Sequence, residues 1–436
     1  MDAHGYRVGD NESWYRDLPE DVAELEAIAS EARRHIEPWL SAVFQAEHLN
    51  LLIGSGFANA IGYLANVCAA DMNIEPLGTI LDERIEAEAA RSASAMGRGK
   101  PNIEDQFRVA FTILDGLELL QDERYSELHK ALQVRMSTFL QSLLQMEADI
   151  ETAADNDWSK AMSALQGFLL SFASRAASRE RLHVFTTNYD RLIEKGCDLA
   201  GLRIVDRFVG LLEPTFRTSR VDVDFHYNPP GIRGEPRFME GVLRMTKLHG
   251  SLDWQLTQRP RQLVRRGIPF GASTDSPLVP AEPLETVMIY PNAAKDVETT
   301  EYPYAELFRD MAAATCRPNS VLVTYGYGFG DDHINRVLLD MLTIPSTHLV
   351  IIVYESEDRL SKFLNQAART AQISLLVGNH FADLSNLTER YLPKPALDMI
   401  SGRMAELLKH RSYLRDSRLD NTPEVETGGD DSEGLI

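Results

Sequence analysis

The feature that most constrains the fold is a series of short, mostly apolar segments that alternate with helical patterns. Residues 49–53, 320–325 and 349–354 are the clearest of these segments. Each lies next to a stretch with apolar residues at three- and four-residue spacings, which is typical of amphipathic helices. Strands that are apolar on both faces are buried on both faces, as in a parallel sheet covered by helices. The pattern therefore predicts an α/β protein.

The order of the patterns predicts one sheet domain that is interrupted by helices. Residues 1–17 are polar, and we expect a flexible lead-in there. Residues 207–243 and 255–284 are expected to be irregular or loop-rich. The predicted regions are an N-terminal lead-in and helix at 1–46, a sheet domain at 47–71 and 181–395, a helical insertion at 72–180, a C-terminal helix at 396–415 and a disordered acidic tail at 416–436.

The charge balance argues against direct binding to nucleic acid. The chain has 65 acidic and 44 basic residues, which gives a formal net charge of −21. Such a surface repels phosphate backbones and anionic membranes, and no dense run of Lys and Arg offsets it. The polar N-terminus does not resemble a signal peptide, and the apolar runs are much shorter than a membrane span. We therefore expect a soluble, cytoplasmic protein.

Metal-binding and nucleophile motifs are missing from the sequence. Cys68, Cys197 and Cys316 lie far apart and form no CxxC pair, which excludes a zinc ribbon. The 11 histidines have no metal-ligand spacing. The sequence contains no P-loop, HExxH or Gly-x-Ser-x-Gly motif. We therefore expect no bound metal.

A glycine turn follows the first apolar segment. Gly54-Ser55-Gly56 separates a predicted strand from a predicted helix. Glycines at this position allow close backbone approach to a phosphate, and the N–H groups of a helix N-terminus attract anions. A simple tight turn is the alternative interpretation.

Polar residues follow two later strands. In Thr186-Thr187-Asn188-Tyr189-Asp190, the side chains after the strand would face a ligand crevice. The alternative places Asn188 in a left-handed turn and makes Asp190 a helix cap. His249 also follows a short strand and suits proton transfer, although a lone histidine is more often structural. Trp254 is expected to pack in the core.

A second glycine-rich junction occupies residues 326–330 and is followed by Asp331. Its three glycines would let a ribose or an adenine lie against the backbone. The alternative is a flexible loop with Asp331 as a helix cap, and with simple packing for the aromatic residues that alternate with the glycines.

Taken together, the four junctions GSG, TTNYD, KLHGS and GYGFGD resemble the sirtuin-like family, in which a Rossmann-type sheet binds NAD. In that family the first glycine turn holds the diphosphate, an Asn and an Asp border the nicotinamide ribose, and a His is catalytic. The resemblance spans about residues 46–380. It implies that Asn188 and His249 are catalytic. The NAD contacts that it implies are Gly54, Ser55, Gly56, Phe57, Thr187, Asn188, Asp190, His249, Gly326, Tyr327, Gly328 and Asp331.

Five segments resemble more closely the bacterial sirtuin-like NADases encoded beside a HerA-type ATPase in antiphage defence. In order they are FTTNYD, KLHGSLDW, MIYPNAAKD, YAELFRDM and GYGFGDDHINR. The zinc-binding cysteines of sirtuin deacylases are missing, which disfavours a protein deacylase. The resemblance implies a Rossmann-like parallel sheet with a helical insertion and no zinc ribbon. It also implies an NAD⁺ hydrolase that releases ADP-ribose and nicotinamide, with NAD as substrate.

The implied reaction breaks the bond between ribose and a pyridinium through an oxocarbenium-like transition state. Asp190 would place negative charge near the ribose, and Asn188 would orient the ribose or a water molecule. His249 would accept a proton from a ribose hydroxyl or from the attacking water.

The same resemblance implies assembly into a homo-oligomer that docks on a hexameric HerA-type ATPase. The helix at 18–46 and the insertion at 72–180 are candidates for these contacts, and covering the sheet is their alternative role. Two other functions remain open. One is a non-catalytic subunit that senses NAD or ADP-ribose. The other is a nuclease component that binds magnesium through acidic pairs such as Glu104-Asp105 or Asp331-Asp332.

Overall fold

Strands and helices alternate along the chain, as the apolar pattern predicts. The computed structural model describes residues 4–95, 99–219, 224–227, 237–258, 261–289, 303–355 and 358–394. The strands in these ranges are β1 His4–Val8, β2 Asn11–Tyr15, β3 His48–Ile53, β4 His183–Thr186, β5 Arg203–Val205, β6 Phe208–Val209, β7 Thr215–Phe216, β8 His226–Tyr227, β9 Arg237–Phe238, β10 Val242–Lys247, β11 Gly250–Gln258, β12 Arg261–Arg265, β13 Val287–Ile289, β14 Ser320–Tyr325, β15 His348–Val353 and β16 Ile373–Val377.

The helices in the same ranges are α1 Val22–Val43, α2 Ser55–Leu64, α3 Asp82–Ala95, α4 Ile103–Leu119, α5 Arg124–Glu151, α6 Asp155–Ala173, α7 Leu192–Ala200, α8 Pro283–Thr286, α9 Tyr304–Thr315, α10 Asp332–Met341, α11 Asp358–Gln366 and α12 Leu384–Asn386. None of these helices is long and apolar enough to cross a membrane. The predicted C-terminal helix at 396–415 and acidic tail at 416–436 lie outside the described residues.

The main sheet of the described chain has nine strands in the order β2-β1-β16-β15-β14-β3-β4-β10-β5. From β16 to β5, all neighbouring strands are parallel. The central strand β3 is buried on both faces, because Leu51 and Ile53 lie in one apolar core and Leu52 lies in another. Mostly apolar segments predict this burial. The predicted α/β class with a Rossmann-like parallel sheet is therefore confirmed.

The order in which successive strands are added to the sheet reverses at β3. The strands that come next in the chain, β4 and β5 with β10 between them, lie on one side of β3. The later strands β14, β15 and β16 lie on its other side. A switch of this kind opens a crevice at the carboxyl ends of the central strands, where α/β proteins bind their ligands.

The helical insertion lies between β3 and β4 and consists of α3 to α6, which follow α2. Its apolar core includes the buried side chains of Phe107, Leu132 and Phe139. A buried ion pair joins the insertion to the sheet domain. The backbone N–H and the guanidinium of Arg191 both donate to the carboxylate of Glu147, the former over 2.9 Å. The insertion is thus packed against the segment that follows β4.

The expectation of a flexible lead-in at 1–17 is wrong for residues 4–15. Strands β1 and β2 form a hairpin across the two-residue turn Gly9-Asp10, in which Gly9 has a φ of +56°. A glycine at this position supplies the backbone twist that a tight hairpin requires. Strand β1 pairs antiparallel with β16 and buries Tyr6 and Val8. The hairpin therefore extends the sheet at one edge.

The stretches 207–243 and 255–284, expected to be irregular, contain most of a second sheet. Its five strands are antiparallel in the order β13-β11-β12-β7-β6. Trp254 packs there against Phe208, with ring centroids 4.9 Å apart, and against Phe216. The expected packing role of Trp254 is confirmed. Strands β6 and β7 have only two residues each, too few to produce a periodic pattern.

Candidate functional site

A cavity of about 840 Å³ lies at the carboxyl edge of the main sheet. Its volume falls in the range of small-molecule sites. The turns after β3, β4, β10 and β14 all contribute to its lining, and these are the four junctions identified in the sequence. The predicted site residues that line it are Gly54, Ser55, Gly56, Thr187, Asn188, Asp190, His249, Gly326, Tyr327, Gly328 and Asp331.

Phe57 is the exception among the predicted NAD contacts. Its side chain is fully buried and packs against Phe168 and Tyr325, at ring-centroid distances of 5.2 and 5.9 Å. The first turn of α2 directs this side chain towards the core. The structure therefore does not bring the Phe57 ring to the cavity.

The two glycine turns pack directly against each other. The N–H of Gly56 donates to the carbonyl oxygen of Gly326 over 3.0 Å, and the N–H of Gly54 donates to Tyr325 O over 3.1 Å. A Cβ atom at Gly54 would lie 2.5 Å from Gly326 O, and one at Gly326 would lie 2.7 Å from Gly56 Cα. Gly326 also has a φ of +61°. Glycine is required at these positions because the two turns contact each other. The sequence-based explanation for the glycines was instead the close approach of a ligand.

The N-terminal end of α2 faces the cavity. Gly54 occupies the N-cap position and provides no side-chain cap, while Ser55 and Gly56 line the cavity. The N-terminus of a ten-residue helix carries partial positive charge. This end of the cavity therefore favours anionic oxygen atoms.

Asn188 follows β4 and is buried, with 7% of its surface exposed. Its backbone N–H donates to Thr186 Oγ1 over 3.0 Å. Its side-chain Nδ2 has no hydrogen-bond partner among the residues that the structure describes. Asn188 is not among the described residues with positive φ, so the left-handed alternative is wrong. The amide is thus a buried donor on the cavity lining.

Asp190 lies directly before Arg191, the N-cap residue of α7, and also lines the cavity. Its Oδ1 accepts a hydrogen bond from the N–H of Leu192 over 3.1 Å, although the N-cap position itself belongs to Arg191, which forms no side-chain cap. Burial raises the pKa of the Asp190 carboxyl, and the positive charge of Lys247 opposes this rise. The Lys247 ammonium donates to Asp190 O over 2.6 Å and to Glu194 over 3.0 Å. A buried cation therefore fixes the segment that carries Asp190.

His249 lies between β10 and β11, beside the segment that carries Asn188. The N–H of Leu248 donates to Thr186 O over 2.8 Å, and that of Leu252 donates to Tyr189 O over 3.1 Å. These bonds on both sides hold His249 at the end of β4. The ring is 5% exposed, and its Nε2 lies 3.0 Å from Asp331 Oδ2.

Asp331 has two roles in the structure. Its Oδ1 accepts a hydrogen bond from the N–H of His333 and so caps α10, as one of the sequence-based interpretations predicts. Its Oδ2 contacts His249. The Tyr327 hydroxyl donates to Asp331 O over 3.1 Å, and the Tyr327 and Phe329 rings are buried. Both rings are therefore packed in the core, and Tyr327 also borders the cavity as a predicted NAD contact.

Sequence analysis missed Glu104 as part of this site. Glu104 lies in the first turn of α4, its Oε1 is 3.8 Å from His249 Nδ1, and it accepts a hydrogen bond from the Tyr189 hydroxyl over 3.0 Å. Burial, and then the charge of Glu104, raise the pKa of Tyr189 well above its ordinary value. Glu104 is far from His249 in sequence, so only the fold brings them together.

The acidic pairs considered for magnesium are engaged in local structure. Asp105 forms a capping box with Asn102 at the start of α4, and Asp331 caps α10. Among the described residues, no group of three or more histidines, cysteines, aspartates and glutamates could hold a metal ion.

The cavity has two walls. We call the turns after β3, β4, β10 and β14 the sheet wall. The insertion and the segment before it provide the other side, which we call the helical wall. The residues that we assign to the helical wall are Met72, Asn102, Glu104, Leu143 and Met146.

A parallel sheet with glycine turns and polar side chains at its switch point defines a Rossmann-like α/β class. A SIR2-like domain model matches residues 182–372, which supports a sirtuin-like protein. The matched range contains Asn188, His249 and Asp331, whereas Gly54 and Glu104 precede it. SIR2-like domains are often NAD-dependent enzymes, so the match indicates NAD-related activity. No curated protein matches this sequence.

Proposed function

We propose that the protein is an NAD⁺ glycohydrolase, which converts NAD⁺ and water to ADP-ribose and nicotinamide. The observation that carries the proposal is the position of Asn188 and His249 on one cavity, together with both glycine turns. The Asn188 Nδ2 is a buried donor with no partner among the described residues. A buried donor left unpaired costs roughly 1–3 kcal/mol, so a polar ligand at this position would offset the cost.

Each group has a chemical role that follows from its position. The N-terminal end of α2 attracts the diphosphate. The amide of Asn188 donates to a ribose oxygen and orients the sugar. His249 accepts a proton from a ribose hydroxyl or from the attacking water. The bond between C1′ and the pyridinium nitrogen breaks with its electron pair on nicotinamide, while the water oxygen bonds to C1′ and releases a proton.

Asp190 stabilises the positive charge that develops on the ribose. Burial raises its pKa, but the nearby Lys247 ammonium favours the ionised form. The same lysine fixes the Asp190 backbone, so the carboxylate does not need to reorganise during the reaction.

Nicotinamide release from NAD⁺ tests the proposal directly. We expect Asn188→Ala and His249→Ala each to lower the rate by at least about 100-fold, the usual contribution of a general base or of an oriented donor. Circular dichroism of both variants should match the wild type. His129→Ala, on the helical insertion and outside the cavity lining, is the matched control and should retain activity. Full activity in both site variants would contradict the assignment.

We further propose that the protein is the effector of an antiphage defence complex, depleting NAD on infection as a homo-oligomer docked on a HerA-type hexameric ATPase. The support is the ordered resemblance of five segments to NADases of that type. One of these, MIYPNAAKD, lies mostly outside the described residues. Size-exclusion chromatography with and without the ATPase tests the assembly, and a monomer under both conditions would refute it.

Measuring both NAD⁺ binding and nicotinamide release distinguishes the proposed enzyme from a non-catalytic subunit that only senses NAD or ADP-ribose. A sensor would bind NAD⁺ or ADP-ribose and change ATPase activity without releasing nicotinamide. Retention of both Asn188 and His249 supports turnover, because a sensor does not require a proton acceptor next to the sugar.

A further inference from the structure

His249 lies between two carboxylates that come from opposite walls of the cavity. We infer that Glu104 of the helical wall is a positioning residue that stabilises the protonated ring of His249 during turnover. This inference rests on the proposed NAD⁺ hydrolysis and assigns to the helical insertion a part in the chemistry.

The geometry gives the two ring nitrogens different roles. Asp331 Oδ2 lies 3.0 Å from Nε2, within hydrogen-bond distance, so Nε2 carries a hydrogen and donates it. In the neutral ring, Nδ1 is then the nitrogen that accepts a proton. Glu104 Oε1 lies 3.8 Å from Nδ1. The carboxylate therefore faces the atom at which positive charge appears.

Burial makes this second carboxylate effective. The side chains of His249, Glu104 and Asp331 are 5%, 13% and 9% exposed. An ionic interaction at this separation is much stronger where water is largely excluded than at the surface. A negative charge that is already in place when the ring takes up its proton lowers the barrier without reorganisation.

Two features hold Glu104 in position. The hydroxyl of Tyr189 donates to its Oε1 over 3.0 Å. In the capping box, Asn102 and Asp105 each accept a hydrogen bond from the backbone N–H of the other, both over 3.1 Å. The first turn of α4 is therefore fixed on both sides of Glu104.

Steady-state kinetics of two variants separate the charge of Glu104 from its hydrogen bond. Glu104→Gln keeps an acceptor for Tyr189 but removes the charge. We expect its kcat to fall about 10- to 100-fold, by analogy with the carboxylates that orient metal-binding histidines, with KM and the measured NAD⁺ affinity nearly unchanged. Tyr189→Phe keeps the charge and should reduce kcat much less. Glu104→Asp keeps the charge and should retain more activity than Glu104→Gln.

Glu118→Gln is the matched control, because it makes the same charge change at an exposed position of the same helix. Its kcat should equal that of the wild type. Wild-type kcat in Glu104→Gln, with His249→Ala inactive, would overturn the inference and leave the proposed function intact. A loss in Tyr189→Phe as large as in Glu104→Gln would also overturn it, since the hydrogen bond would then be sufficient. Failure of the wild type to release nicotinamide would instead refute the proposed function, and the inference with it.

Discussion

The two walls of the cavity are built in different ways. The sheet wall consists of turns whose backbone atoms contact one another, as at Gly56 and Gly326. The helical wall consists of side chains, mostly apolar, with Glu104 as its carboxylate. Most of the sheet wall lies within the SIR2-like match, and the helical wall lies before it. The difference indicates that the sheet supplies most of the polar groups on the cavity, while the insertion adds apolar surface and one carboxylate, Glu104.

The largest effect is expected from Gly326→Ala on the sheet wall. The added methyl would meet the Gly56 backbone at 2.7 Å, and alanine disfavours a φ of +61°. Left-handed strain and overpacking together predict a loss of about 3–5 kcal/mol in the free energy of unfolding. Denaturant titration measures this loss. Gly328→Ala is the control for folding, because its methyl would lie 3.6 Å from the Arg359 guanidinium, an ordinary contact. Equal stability of the two variants would show that the turns are not rigidly interlocked.

Leu143→Ala tests the helical wall. Leu143 is buried in the core of the insertion and borders the cavity, so we expect the free energy of unfolding to fall by about 2–3 kcal/mol. If the apolar side chains of the helical wall shape the cavity without acting on the reacting bond, KM for NAD⁺ should rise several-fold in Leu143→Ala while kcat changes little. Unfolding curves and steady-state kinetics give the two numbers. A large fall in kcat with constant KM would contradict this division between the walls.

Lowering the pH should reduce the free energy of unfolding through His183, the first residue of β4. Asn188 follows the same strand. Burial lowers the pKa of His183 from its ordinary value of 6.5 to about 3. Between these values the unfolded chain binds a proton that the folded chain does not, so stability falls as the pH drops from 6.5 towards 3. From this group alone the loss at pH 5 is about 2 kcal/mol.

His348, whose pKa burial lowers to about 4, should contribute in the same direction. Comparing His183→Gln with the wild type at pH 7 and pH 5 isolates the share of His183. If the free energy of unfolding depended on pH identically in the two proteins, protonation of His183 would not contribute to the loss of stability in acid.

Asn102→Ala should have the smallest of these effects. It removes one half of the capping box of α4 and should lower the free energy of unfolding by about 1 kcal/mol. Because Glu104 lies on the same turn, kcat should fall a few-fold. Unchanged kcat in a destabilised variant would show that Glu104 is held by Tyr189 alone.

The central sheet could be predicted because its signal is local. Strands β3 and β14 each have four apolar residues out of six, and β15 has five of six. A glycine junction follows each of the first two strands. In the second sheet, strands β6 and β7 gave no such signal, because each has only two residues. The N-terminal hairpin buries residues of only one of its strands, β1, and its turn Gly9-Asp10 is the feature that could have revealed it.

The candidate site divides in the same way. Asn188 and His249 follow strands, so the rule that parallel strands end at one edge brings them together. Glu104 could not be found by that rule, since it reaches His249 from a helix in the insertion. The prediction that Phe57 contacts NAD was wrong for its side chain. The sequence shows that Phe57 follows a glycine turn, but it does not show whether that position of the helix faces the cavity or the core.

The contact between the glycine turns limits which amino-acid substitutions this chain can accept during evolution. At residues 54, 56 and 326 any side chain, however small, would have to occupy space already filled by backbone, and a change in one turn cannot be accommodated by a larger or smaller residue in the other. In a library that samples every amino acid at every position, these three positions should therefore tolerate almost no replacement, even among variants selected only for folding.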